Sequence, residues 1–177
     1  RQRKEQSGEL ARHYFEIGGI HEFRFDWPNA LEAYREAWRL ERNPEYGFKF
    51  GLYSSKLARH TDAIGVFEEL LTLYTQPEDI AATLNAAGLL YVDTQRIQDA
   101  EAAYRDAMAI YSVLAKTAPE HYRAEIALTL NNWANLNADT QQIEKAAEYY
   151  RDALRIYRNL TQENREAYLP SLATLLN

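Results

Sequence analysis

The sequence predicts an all-α protein built of antiparallel helix hairpins stacked one on the next, and three observations carry that expectation. Residues 81–111 recur 46 positions later as residues 127–157 with 16 identities over 31 positions, where unrelated segments would share about two. Small and apolar residues return three and four apart along the chain, and no alternating run suggests a strand. Only 7 Gly and 5 Pro interrupt 177 residues, of which 46% are apolar, so long helices and a sizeable core are both within reach.

Helices are expected at about 5–24, 27–41, 45–57, 60–74, 78–93, 97–117, 120–138, 142–162 and 166–177, four hairpins and a ninth helix. The clearest stripe is Ala100, Ala103, Tyr104, Ala107, Ile110, Tyr111 and Leu114, copied as Ala146, Tyr149, Tyr150, Ala153, Ile156, Tyr157 and Leu160. Pro44, Pro77 and Pro119 fall between periodic segments, while Pro28 and Pro170 suit a first helical turn, where a missing N–H costs little. Every second helix repeats one triplet: Ala30/Tyr34/Ala37, Ala63/Phe67/Leu70, Ala100/Tyr104/Ala107 and Ala146/Tyr150/Ala153. Twelve residues before each leading alanine stand Gly18, Gly51, Gly88 and Ala134. Residues without bulk at both places let paired helices approach closely while the aromatic fills the gap, so Tyr104 and Tyr150 are both expected in the core.

These triplets and spacings resemble the tetratricopeptide repeat family, whose motif has small residues at its eighth, twentieth and twenty-seventh positions and an aromatic at its twenty-fourth. The resemblance spans nearly the whole chain as one array, with repeats at about 9–42, 43–77, 78–119 and 120–165 and the start of a further pair at 166–177. The intervals between leading alanines are 33, 37 and 46 residues. The last two repeats, with their Thr-Leu-Asn openings and long second helices, look like the extended repeats of the kinesin light chain group. Gln95 and Gln141 replace the family's turn glycine, and Asn137 and Ser54 its first-helix tyrosine. The resemblance implies a right-handed superhelical solenoid with a concave surface lined by first helices.

On that concave surface the alignment places Arg12, Phe15, Glu16, Gly19 and Glu22, then Phe48, Lys49, Leu52 and Lys56. It continues with Asn85, Ala86, Leu89 and Asp93, and with Asn131, Asn132, Asn135 and Asp139. The row Asn85, Asn131, Asn132 and Asn135 is suited to hold a peptide backbone, because each amide both donates and accepts; the family commonly uses asparagines in this way. Asparagines near helix starts also cap or join neighbouring helices. Phe15, Phe48 and Leu52 suit either a side-chain pocket or packing between hairpins. The inner bases Arg12, Lys49 and Lys56 do not reproduce the two-carboxylate clamp of chaperone-binding members.

Other functions are disfavoured. With no cysteine, thiolate chemistry, disulfides and cysteine-ligated zinc are excluded. His13 and His21 share a helical face with Glu16 and Glu22, but without metal-site spacing, and no phosphate loop or nucleophile elbow is present, so no enzyme activity, metal or cofactor is expected. Nine acidic residues in 62–106 face only Arg96 and Arg105, which argues against nucleic acid. No segment has the length and apolarity of a membrane span or signal peptide, and the cytoplasm is the default expectation. The chain begins without Met, and Asn177 falls 46 after Asn131, which reads as a piece of a longer array. The expected function is a protein-interaction scaffold for an extended peptide or partner helix. The alternative is a structural spacer, or a self-associating or regulatory array within a larger protein, with Leu169, Leu172, Leu175 and Leu176 left as an uncovered apolar surface.

Overall fold

A computed structural model describes residues 2–176, with side chains described for residues 5–175. Among the described residues there are nine α-helices and no strand: α1 (Gln2–Phe23), α2 (Trp27–Leu40), α3 (Pro44–Lys56), α4 (His60–Leu73), α5 (Pro77–Asp93), α6 (Ile97–Leu114), α7 (Pro119–Asp139), α8 (Ile143–Glu163) and α9 (Arg165–Leu176). This is the all-α helical-repeat architecture the sequence predicts. Pro28, Pro44, Pro77 and Pro119 each occupy the first turn of their helix. Pro170 does not: it lies inside α9, past the first turn. Helix α6 stops at Leu114 rather than 117, because Lys116 N–H and Thr117 N–H bond back only three residues, to the Val113 and Leu114 carbonyls.

The chain divides into two compact units, residues 1–75 and 76–177. In the first, α1 packs on α2, α2 on α3, and α3 on α4; in the second, α5 packs on α6, α6 on α7, α7 on α8, and α8 on α9. The 46-residue register continues into α9. Tyr122 and Ile126 of α7 pack over the buried set Ala81, Ala107 and Tyr111, and their counterparts Tyr168 and Leu172 of α9, with Leu175, pack over Ala127, Tyr157 and Leu160. Leu172 and Leu175 are therefore covered, unlike the uncovered surface expected for them; Leu169 remains 43% exposed, and the Leu176 side chain lies outside the described residues.

All four hairpins close in the same way. Phe25, Ala58, Gln95 and Gln141 have φ between 56° and 62°. The N–H of the next residue reaches back five positions: Asp26 to His21, Arg59 to Ser54, Arg96 to Tyr91 and Gln142 to Asn137, at 2.7–2.9 Å. That is a Schellman cap, which glycine closes without strain. Here four side-chain-bearing residues take its place in the left-handed region.

Within each hairpin the residue without bulk sets the spacing. A methyl added at Gly18 would lie 2.5 Å from the Tyr34 ring, one at Gly51 2.7 Å from Phe67, and one at Gly88 2.5 Å from Tyr104. The three rings are correspondingly 0–1% exposed.

Candidate functional site

The fourth hairpin breaks that rule. Ala134 already carries the methyl that the three glycines lack, and the Tyr150 ring is not among the buried core residues. The sequence expectation that Tyr150 matches Tyr104 in the core is thus corrected. Tyr150 is half-buried, and its hydroxyl donates to Asn135 Oδ1. Burial, followed by the charge of Asp139, raises its pKa, which keeps the phenol protonated as a donor.

Asn131, Asn135 and Tyr150, with Thr174 and Leu175 of α9, line a hollow of about 350 Å³. The Thr-Leu-Asn opening explains why α7 presents asparagines here. Thr129 is fully buried and returns its hydroxyl to the Glu125 carbonyl at 2.8 Å, as Thr83 does to Asp79 in α5. The hydroxyl is satisfied within its own helix, so each threonine can face the core, with Leu84 packed beside Ala81. Asn85 and Asn132 are buried, and Asn132 Nδ2 donates to Asn85 Oδ1 at 3.3 Å, joining α5 to α7. Of the asparagine row, then, Asn131 and Asn135 reach the hollow, while Asn85 and Asn132 hold the two helices beside each other. Leu89 is 47% exposed on α5.

The inner residues of the first unit are engaged with one another. Glu22 accepts from the Tyr34 hydroxyl and from Lys49 Nζ at 2.9 and 3.0 Å. Burial pushes the Glu22 carboxyl up, but hydrogen bonds from Tyr34, Lys49 and Tyr53 outweigh it and hold the group at about 2. Burial and the Glu22 carboxylate push Tyr53 up to about 12 and raise Tyr34 further. Phe15 is half-buried, stacked on Tyr46 at 4.6 Å and tilted against Tyr34 at 5.5 Å. Phe48 lies 6.0 Å from Phe67. Lys56 sits over Trp27 and Tyr53 at 4.9 and 5.0 Å, and Arg12 is 3.9 Å from Glu16. The bases this surface offers are therefore each matched internally.

His21 Nδ1 lies 3.1 Å from Asp26 Oδ2, and no cluster of three or more potential metal ligands occurs among the described residues. No helix of the described residues is long and apolar enough to cross a membrane.

A helical-repeat scaffold with open first-helix side chains is the class that this fold and site define. Residues 80–121 and 126–164 match the tetratricopeptide repeat family; these two stretches are tetratricopeptide repeats, and their extended form is kinesin-light-chain-like. Among solved structures the chain is similar to BtubC (BKLC) from P. vanneervenii, with 17% identity, a TM-score of 0.74 and coverage of 86% of this chain and 65% of that one. It is also similar to residues 41-end of MamA from Desulfovibrio magneticus RS-1, with 20% identity, a TM-score of 0.60 and coverage of 96% and 92%. Pseudomonas aeruginosa PilF gives 16% identity, a TM-score of 0.65 and coverage of 96% and 78%. At these identities the likeness is one of fold, and the chain spans about two thirds of the length of BtubC. No curated protein matches the sequence.

The residue that sequence reasoning missed is Tyr150. The signal was present: Ala134 is the one departure from the series Gly18, Gly51, Gly88.

Proposed function

We propose that the chain is a non-enzymatic protein-interaction module whose second unit holds an extended peptide on the first-helix surface around Asn131, Asn135 and Tyr150. The observation that carries this reading is the Asn135–Tyr150 hydrogen bond beside the open hollow. With the phenol donating to Asn135 Oδ1, the Asn135 NH₂ group is left as a donor for a peptide carbonyl. The Asn131 amide offers both a donor and an acceptor one helical turn away. Amides that pair with backbone rather than with side chains hold a strand of peptide with little demand on its sequence. Asn85 and Asn132 support the site by joining α5 to α7 rather than by touching the ligand. Leu89, exposed on α5, is a secondary contact in this reading.

A displayed random-peptide library selected on the intact chain tests it. The affinity of a selected peptide is then measured by titration calorimetry for wild type and for N131A/N135A. A loss of about tenfold or more, with the helical circular dichroism unchanged, is expected from two truncated backbone contacts. Equal affinity in both proteins would remove the asparagine pair from the binding site.

A further inference from the structure

Two surface features remain that neither the repeat motif nor the peptide site uses, and they lie on different units. The first is the turn after α1. Phe23 is 85% and Phe25 76% exposed, and at the matching positions the other hairpins carry Lys56 and Ala58, Asp93 and Gln95, Asp139 and Gln141. Phe25 also sits at φ 58°, a left-handed conformation that a bulky side chain disfavours. Its ring is fixed edge-on to Trp27 at 5.3 Å, and Trp27 is in turn capped by Lys56. An apolar knob is thus presented to solvent, with the exposed Arg24 between Phe23 and Phe25 in the sequence.

The second feature is a hollow of about 340 Å³ lined by Pro77, Ala109, Ile110, Val113 and Leu114. Val113 is 61% exposed. Its floor is continuous with the core, since Ile110 and Leu114 pack on Tyr111. The repeat does not require this surface: Ala109 and Val113 become Arg155 and Asn159 on α8. Acidic side chains flank it, with exposed Glu78 next to Pro77 and exposed Asp106 one turn before Ile110.

We propose that these two features are the halves of one interface, the Phe23 and Phe25 knob of one copy seating in the Ile110 and Val113 hollow of a second copy, with Arg24 towards the acidic flank. The hollow's volume of about 340 Å³ exceeds that of a phenyl ring, its lining is apolar, and Glu78 at its edge is opposite in charge to Arg24, while Asp106 is paired with Arg105. Each half departs from the residues that sibling repeats place at the same positions, which are polar except for Ala58. If both knobs of a pair seat at once the contact closes as a two-fold dimer, and if only one seats association continues head to tail; the mass reached in sedimentation separates the two.

Sibling residues supply the test variants. F23D/F25Q puts into the first turn the residues of the third, and A109R/V113N puts into α6 the residues of α8. Both alter exposed positions, and circular dichroism checks that each variant folds. In sedimentation velocity, wild type should grow in mass with concentration, while each variant is weakened by about tenfold or more. An equimolar mixture of the two variants should form a one-to-one dimer and stop there, because one intact knob and one intact hollow remain. A wild type that stays monomeric at every concentration overturns the proposal. So does association that survives either pair of substitutions, or a mixture that fails to dimerise.

Discussion

The third and fourth repeats share half their residues over 31 positions, yet their central tyrosines end in different surroundings. Tyr104 is fully buried in the slot opposite Gly88, with no partner for its hydroxyl among the described residues. Tyr150, opposite Ala134, is half-buried and bonded to Asn135 at the edge of an open hollow. The first hairpin supplies a third outcome: Tyr34 fills the Gly18 slot and its hydroxyl reaches Glu22. The three rings thus differ in the residue at the slot opposite and in the polar residue within reach of the hydroxyl. A repeat motif specifies which residue type stands at a position, and the neighbours decide what that residue does.

The comparison is most directly broken by truncation. Tyr104→Ala should cost roughly 3–5 kcal/mol through the cavity it leaves, whereas Tyr150→Ala should cost about 1 kcal/mol while weakening peptide binding. Chemical denaturation of both variants measures the gap, and equal losses would place both rings in the core. Gly88→Ala should destabilise by roughly 1–3 kcal/mol, because the new methyl meets the Tyr104 ring and the helices must part or the ring must leave. The reverse exchange, Ala134→Gly, should let Tyr150 settle inward, seen as a larger stability loss for Tyr150→Ala in the Ala134→Gly background than in wild type.

Removing only the hydroxyls separates the three tyrosines further. Tyr104→Phe should be neutral or stabilising by up to about 1 kcal/mol, since an unpaired buried hydroxyl is lost, while Tyr34→Phe should cost about 1–2 kcal/mol because its partner is charged. The Glu22 contact also has a pH signature. Its carboxyl is held at about 2 in the folded protein against an ordinary 4.5, so between those values the unfolded chain binds more protons than the folded one. The stabilisation is complete above about 4.5 and fades as pH falls towards 2. Thermal melts of wild type and Glu22→Gln should therefore converge over that window, and a constant difference would show that the carboxylate is not the source.

The smallest expected effect lies in the turns. Gln95→Gly and Gln141→Gly should each stabilise by about 0.5–1 kcal/mol by relieving the left-handed backbone. Similar gains in both repeats would confirm that the two hairpins differ at the Gly88 and Ala134 slot and not at their caps.

The helices were legible because their signals are local and repeated. The alanine–aromatic triplets and the prolines at helix starts each act within a few turns of chain, and the 46-residue register repeats them. Pro170 was misplaced because a proline inside a helix carries the same sequence signal as one at its start. The asparagine row was visible, but its division was not. Asn85 and Asn132 meet across 47 residues of sequence, and nothing in either helix alone distinguishes them from Asn131 and Asn135. The same holds for Lys49, whose charge seemed available until its pairing with Glu22, 27 residues away, was seen.

By itself the sequence determined that this chain is helical, that its helices pair, and that small residues and aromatics alternate along each pair, because periodicity and steric size act through neighbouring turns. Tertiary structure alone decided which asparagines face solvent, which lysines are already matched and that Tyr150 lies at a surface. Those outcomes depend on distances between residues far apart in the chain.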